Sequence, residues 1–153
     1  MTIHLDLRIA SEEWTQLPGL EDLCQAALMA GWQALETAET SVDVLLADDA
    51  TLAGLNEHWR GKSGPTDVLS FPAETAVPFA GDIAIAWGSA ARDAEKLGTP
   101  MAAHFCHLVI HGLLHLFGHD HIDDADAAIM QDLERRALAD LGYGDPYSQD
   151  ADR

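Results

Sequence analysis

The chain has 153 residues, 48% of them apolar, and sets 26 acidic against 8 basic side chains for a net charge of −18. That length suits one domain of roughly 100–200 residues with its own core, needing neither a disulfide nor a structural metal to fold. The charge repels polyanions at long range and so speaks against general nucleic-acid binding, and no segment reaches the ~20 unbroken apolar residues of a membrane span.

The first residues, MTIHLDLRIASEEW, lack a basic stretch followed by an apolar run, so no signal peptide is expected. Ile3, Leu5, Leu7 and Ile9 alternate, which predicts a half-buried strand over residues 2–9. Apolar residues recur at helical spacing from Leu20 to Leu35, and SVDVLLA, residues 41–47, reads as a second strand. Asp48 or Asp49 then caps a helix running to about Trp59. GKSGP is a loop by composition. Val68–Phe71 and Asp82–Trp87 predict two short strands joined through Pro72–Pro78. A helix from Ser89 to Leu97 stops at Gly98. Thr99-Pro100 starts the next one, which runs to about Phe117 and ends at Gly118. Asp123 or Asp124 caps a last helix ending near Leu141-Gly142. Cys24 and Cys106 each lie in an apolar helical pattern and read as buried free thiols of a reducing compartment, so the expected location is cytoplasmic. Without a regular alternation of strands and helices, the fold class expected is α+β: a small mixed sheet with several helices. Residues 1–142 form the domain and 143–153 a polar, flexible tail.

Chemistry concentrates in the penultimate helix and the turn after it. At about 100° per residue, His104, His107, His111 and His115 share one stripe of a helix that is otherwise apolar, and a helix apolar nearly all round is buried. Buried imidazoles need a metal, a hydrogen-bond partner or a wet cleft. An i, i+4 pair spans ~6 Å of rise and can meet at one ion, whereas i, i+4, i+8 spans ~12 Å and cannot. At most two ligands therefore come from the helix. Gly118 lets the chain turn back directly after His115, which favours His111 and His115 as the pair with His119 or His121 as the third. A lone histidine on such a helix is ordinarily a hydrogen-bonded core residue, and His104 and His107 are read that way, as packing or support. A pair followed by Gly and another His within six residues is a metal pattern, and three imidazoles with an open fourth position suit zinc best. The Glu that serves as general base in HExxH peptidases is replaced by Gly112.

Two stretches carry a resemblance. HGLLHLFGHDH, His111 to His121, and LNEHWRGKSGPTDVLSFP, Leu55 to Pro72, resemble the H-G-x-L-H-L-x-G-x-D-H and L-N-x-x-x-R-x-K-x-x-x-T-D-V-L-S-F-P motifs of the YbeY family, metal-dependent endoribonucleases of bacterial rRNA maturation. GDIAIA, Gly81 to Ala86, is a weaker third match. The resemblance implies one zinc ion on His111, His115 and His121, and so decides against His119, which stands where the family often has Tyr. It implies that Arg60 is the functional arginine, held otherwise to be a surface ion-pair partner. It implies cleavage of single-stranded RNA in 16S rRNA 3′-end maturation and ribosome quality control.

Three neutral imidazoles leave the charge of the ion undiminished for acidifying water and polarising a phosphoryl oxygen, and the planar fork of Arg60 suits a phosphate. Thr66, Asp67 and Asp120 are read as caps or orienting groups. Two rivals stand beside this reading: a zinc peptidase or amidase, disfavoured by Gly112, and a non-enzymatic ribosome-assembly factor with a structural zinc. His58, Arg60 and Lys62 stand against only Glu57 and Asp67 between Asn56 and Phe71, so recruitment to RNA is expected to rely on protein partners on the ribosome or on a restricted cleft near Arg60 and Lys62.

Overall fold

A computed structural model describes residues 3–60, 67–120 and 122–147, Arg60 through its backbone alone. The elements run in the order β1 (His4–Ile9), α1 (Leu20–Leu35), β2 (Ser41–Ala47), α2 (Asp49–Arg60), β3 (Val68–Pro72), β4 (Phe79–Ala86), α3 (Trp87–Leu97), α4 (Met101–Leu116) and α5 (Asp124–Asp140). The four strands form one sheet in the order β1-β2-β4-β3, with β1, β2 and β4 parallel and β3 antiparallel at the edge. This is the expected α+β fold with a mixed sheet. One crossover, β1–α1–β2, links neighbouring parallel strands.

The two faces of the sheet bury different residues, as the period of two requires. Val42, Val44, Leu46, Ile83 and Ile85 enter the main core with α1, α4 and α5. Ala47, Leu69, Ala84 and Ala86 turn the other way, onto Leu52 and Leu55 of α2. Further along that second face, Asp6, Asp43 and Asp82 stand directly opposite one another across β1, β2 and β4. Burial and the neighbouring carboxylates push both Asp43 and Asp82 above the usual carboxylate range.

The sheet is extended, and one helix gained, relative to the sequence reading. β4 begins at Phe79 rather than Asp82, and Trp87 opens α3 rather than closing the strand. A short 3-10 helix, Glu12–Gln16, carries Trp14 into the core, where its indole N–H donates to the Ala47 carbonyl at 2.8 Å and its ring meets Trp87 and Phe105 edge-on. The two adjacent aspartates divide their work. Asp48 accepts the Thr51 N–H at 2.8 Å and caps α2. Asp49 reaches across to α3, accepting the Ser89 N–H at 2.8 Å and pairing with Arg92 at 2.7 Å.

α4 lies in the middle of the molecule, on β3 and β4 and against α1, α3 and α5. Gly112 makes that approach possible. A methyl group placed there would sit 2.9 Å from Ile83 Cγ2 and 3.2 Å from Ser70 Oγ, while Ser70 donates its hydroxyl to the Gly112 carbonyl at 3.0 Å. Position 112 therefore points at the sheet, which accounts for the absence of a glutamate there. Gly112→Ala should cost about 1–3 kcal/mol through overpacking, read as a lowered midpoint in chemical denaturation at unchanged slope.

Cys24 and Cys106 are both free and buried, and burial pushes their thiols up to about 12 and about 11. A thiol held protonated is a poor nucleophile. Both should resist alkylation in the native protein and label fully once it is unfolded, as mass spectrometry would show.

Candidate functional site

The site is built on the C-terminal half of α4. His111 and His115, one turn apart, bring their Nε2 atoms to 3.0 Å with the rings nearly perpendicular. The other edge of His111 faces a carboxylate: its Nδ1 lies 3.5 Å from Glu134 Oε2 on α5. A carboxylate on Nδ1 favours the proton there and leaves the Nε2 lone pair facing His115. Two ring nitrogens meeting at 3.0 Å need a proton or a cation between them. Zinc holds such nitrogens at ~2.0–2.1 Å, so one ion can touch both. The donor set thus fits a divalent metal.

Glu134 anchors this arrangement. It is only 1% exposed, yet it carries a charge in the core. The Nε2 of His107 makes a short contact to Oε2, and the Tyr147 hydroxyl donates to both carboxylate oxygens at 3.0 Å. Burial by itself would raise this carboxyl; hydrogen bonds and electrostatic attraction from the imidazoles of His107 and His111 outweigh it and hold Glu134 down to about 2. Tyr147 is fixed in turn by Arg135, whose guanidinium lies 5.4 Å from its ring centre and whose Nε donates to Asp145 at 2.9 Å. His107, His111 and Glu134 themselves offer ligand atoms within 4.8 Å of one another. With Glu134 already taken by His107 and Tyr147, that trio is read as the support for the Nε2 edge.

The end of α4 sets the course of the chain beyond the pair. The Gly118 N–H donates to the His115 carbonyl and the His119 N–H to the Leu114 carbonyl, each at 3.0 Å, with Gly118 at φ +89°. This is the glycine-terminated Schellman ending expected at Gly118, and it fixes the backbone of His119 against the helix end. His121 lies outside the described residues, as do Lys62, Thr66 and the side chain of Arg60. Arg60 closes α2 through its backbone. The structure thus brings together His111 and His115, and it sets His107 against Glu134. His104 is buried with its Nε2 lacking a hydrogen-bond partner among the described residues.

An open cleft of about 750 Å³ runs along α4 past His104, His107 and His111 and is lined on its other side by Tyr143 and Tyr147. Glu134 and Tyr147 escaped the sequence reading. A signal for Glu134 exists: Met130, Leu133, Ala137, Leu138 and Leu141 form the apolar stripe of the last helix, and Glu134 sits in its register. Tyr147→Phe removes a donor from a buried carboxylate and should cost about 1.5–3 kcal/mol, visible as a lower thermal midpoint.

The family model described as Endoribonuclease YbeY matches residues 8–142. Among curated relatives, an Endoribonuclease YbeY of Paramagnetospirillum magneticum is 42% identical over 97% of this chain and 98% of its own. One of Ruegeria pomeroyi is 41% identical over 95% and 99%. A solution structure of a Thermotoga maritima protein superposes with a TM-score of 0.62 at 23% identity, over 99% of this chain and 93% of that one, a likeness of fold.

Proposed function

The chain belongs to the endoribonuclease YbeY family and is a nuclease acting on RNA; from that premise we propose that it is a zinc-dependent endoribonuclease that cuts single-stranded RNA in 16S rRNA 3′-end maturation and ribosome quality control. The observation that carries the zinc reading is the pair of Nε2 atoms of His111 and His115 facing each other at 3.0 Å while a buried carboxylate holds the far edge of His111. We assign the third ligand to His121 on the family motif, with His119 as its neighbour.

When bound, the ion would supply Lewis-acid chemistry, acidifying a water molecule and polarising a phosphoryl oxygen. The protein's own groups do the rest. Glu134 keeps the Nδ1 proton of His111 in place and so keeps Nε2 available as a donor of electrons. His107 and Tyr147 hold Glu134 and keep water from its oxygens. Arg60, at the end of α2, is the group proposed to grip the scissile phosphate through its two-pronged guanidinium. The peptidase alternative lacks its base, because position 112 faces Ile83 and Ser70 rather than the cleft. Recruitment to RNA through ribosomal proteins answers the charge of −18, since a body this acidic gains little from free polyanions. The proposed setting is cytoplasmic; among the described residues no single helix is long and apolar enough to cross a membrane.

Metal analysis and RNA cleavage test the assignment together. His115→Ala and His121→Ala should each lose zinc and cleavage, whereas His119→Ala should keep both; zinc retained in His121→Ala and lost in His119→Ala would exchange the two roles. Arg60→Ala should keep its zinc and lose cleavage. Cleavage of peptides but not RNA by the zinc-loaded protein would refute the nuclease reading. Glu134→Gln should weaken zinc binding about 10–100-fold, measured by competition with a chromogenic chelator.

A further inference from the structure

Beyond the paired imidazoles, the same cleft holds a second group of ligands that the zinc reading does not use. Asp67 sits where β3 begins, its carbonyl accepting the Ala86 N–H at 2.9 Å. Asp93 comes from α3, and His104 from the first turn of α4. One carboxylate oxygen of each aspartate and a ring nitrogen of His104 lie within 4.8 Å of one another. Three separate elements thus converge on one point.

Two features mark this point as unfinished. Two carboxylates share this half-buried place, and burial, a side-chain hydrogen bond between them and the charge of Asp93 push the Asp67 carboxyl up to about 6. His104 is only 5% exposed, and its Nε2 has no hydrogen-bond partner among the described residues. A buried polar nitrogen without a partner costs about 1–3 kcal/mol. A single cation relieves both penalties: it neutralises the carboxylates and takes the lone pair of the imidazole.

We propose that Asp67, Asp93 and His104 form a second divalent-cation site, distinct from the His111–His115 pair, for an ion of the manganese class. Two hard oxygens with one imidazole suit Mn²⁺, since carboxylates favour Mg²⁺ and Mn²⁺ while the nitrogen favours a transition ion. The site is not half of a two-metal clamp. Such ions sit ~3.5–4 Å apart, whereas His104 and His111 are separated by roughly 10 Å of helix rise. Its place suggests a different use, one that rests on the reading of the cleft as the RNA site. The cleft wall presents Asp67, Asp93 and Asp145 against Lys96, an acidic lining for a polyanion. An ion at Asp67 and Asp93 reverses the local sign and holds a phosphate of the strand away from the bond being cut.

The test titrates Mn²⁺ into the zinc-loaded full-length protein at physiological ionic strength, following free Mn²⁺ by electron paramagnetic resonance and stability by thermal melting. The wild type should take up one Mn²⁺ per chain and melt higher for it. Asp93→Asn, on the half-exposed side of the group, and Asp67→Asn should each lose that equivalent and that stabilisation while keeping their zinc. Glu95→Gln, an exposed neighbour on α3, should retain both. Wild-type protein that leaves Mn²⁺ free, or Asp93→Asn protein that binds it as the wild type does, overturns the proposal. RNA cleavage is scored separately, so failure of the nuclease reading and failure of this site give different results.

Discussion

A negative charge in the middle of an apolar assembly is the constraint on which the site depends. Glu134 is buried, ionised and satisfied from three directions, by His107, His111 and Tyr147. Each of those contacts fixes something else. The first two lock the ring edges of α4, and the third draws the chain after α5 back over the cleft. Removing one partner of a buried charge is far more costly than the net gain of the intact group, so this carboxylate joins the leucines around α4 in setting which face of the helix meets α5. His115 is aligned at one remove, through the Nε2 of His111 that it meets.

The other side of α4 imposes a complementary condition. Gly112 is one residue past His111 and faces the sheet so closely that a methyl group would press on Ile83. The helix is therefore clamped between a glycine contact on one side and a carboxylate on the other. That places the Nε2 edges on the remaining exposed strip. The same geometry separates this protein from helical metallopeptidases, since a glutamate at position 112 has no room and no substrate to act on.

Much of this is legible in the chain. The bounds of α1 and β2 match the periodicity, because their apolar positions are unbroken and their ends are marked. Gly118 is readable as a helix ending, and the i, i+4 pair as a metal pattern, since both depend on neighbours within a few residues. The features that escape depend on contacts between distant segments. Trp87 reads as strand because it continues an apolar run, yet it is the first residue of α3. Trp14 drives a single helical turn through a core contact with Ala47, 33 residues away. Glu134 looks like one more surface acid among many, and only the apolar stripe around it betrays its burial. Asp93 carries no local mark at all; its meaning comes from Asp67 and His104. Membership of the family, by contrast, is readable from two motifs, because it needs no geometry.

The row of Asp6, Asp43 and Asp82 on the far side of the sheet gives the excess charge a direction. Three carboxylates aligned across three strands repel one another and any phosphate that approaches that side. Part of the molecule's acidity is thus gathered on the sheet face turned away from α4, where it repels polyanions at long range.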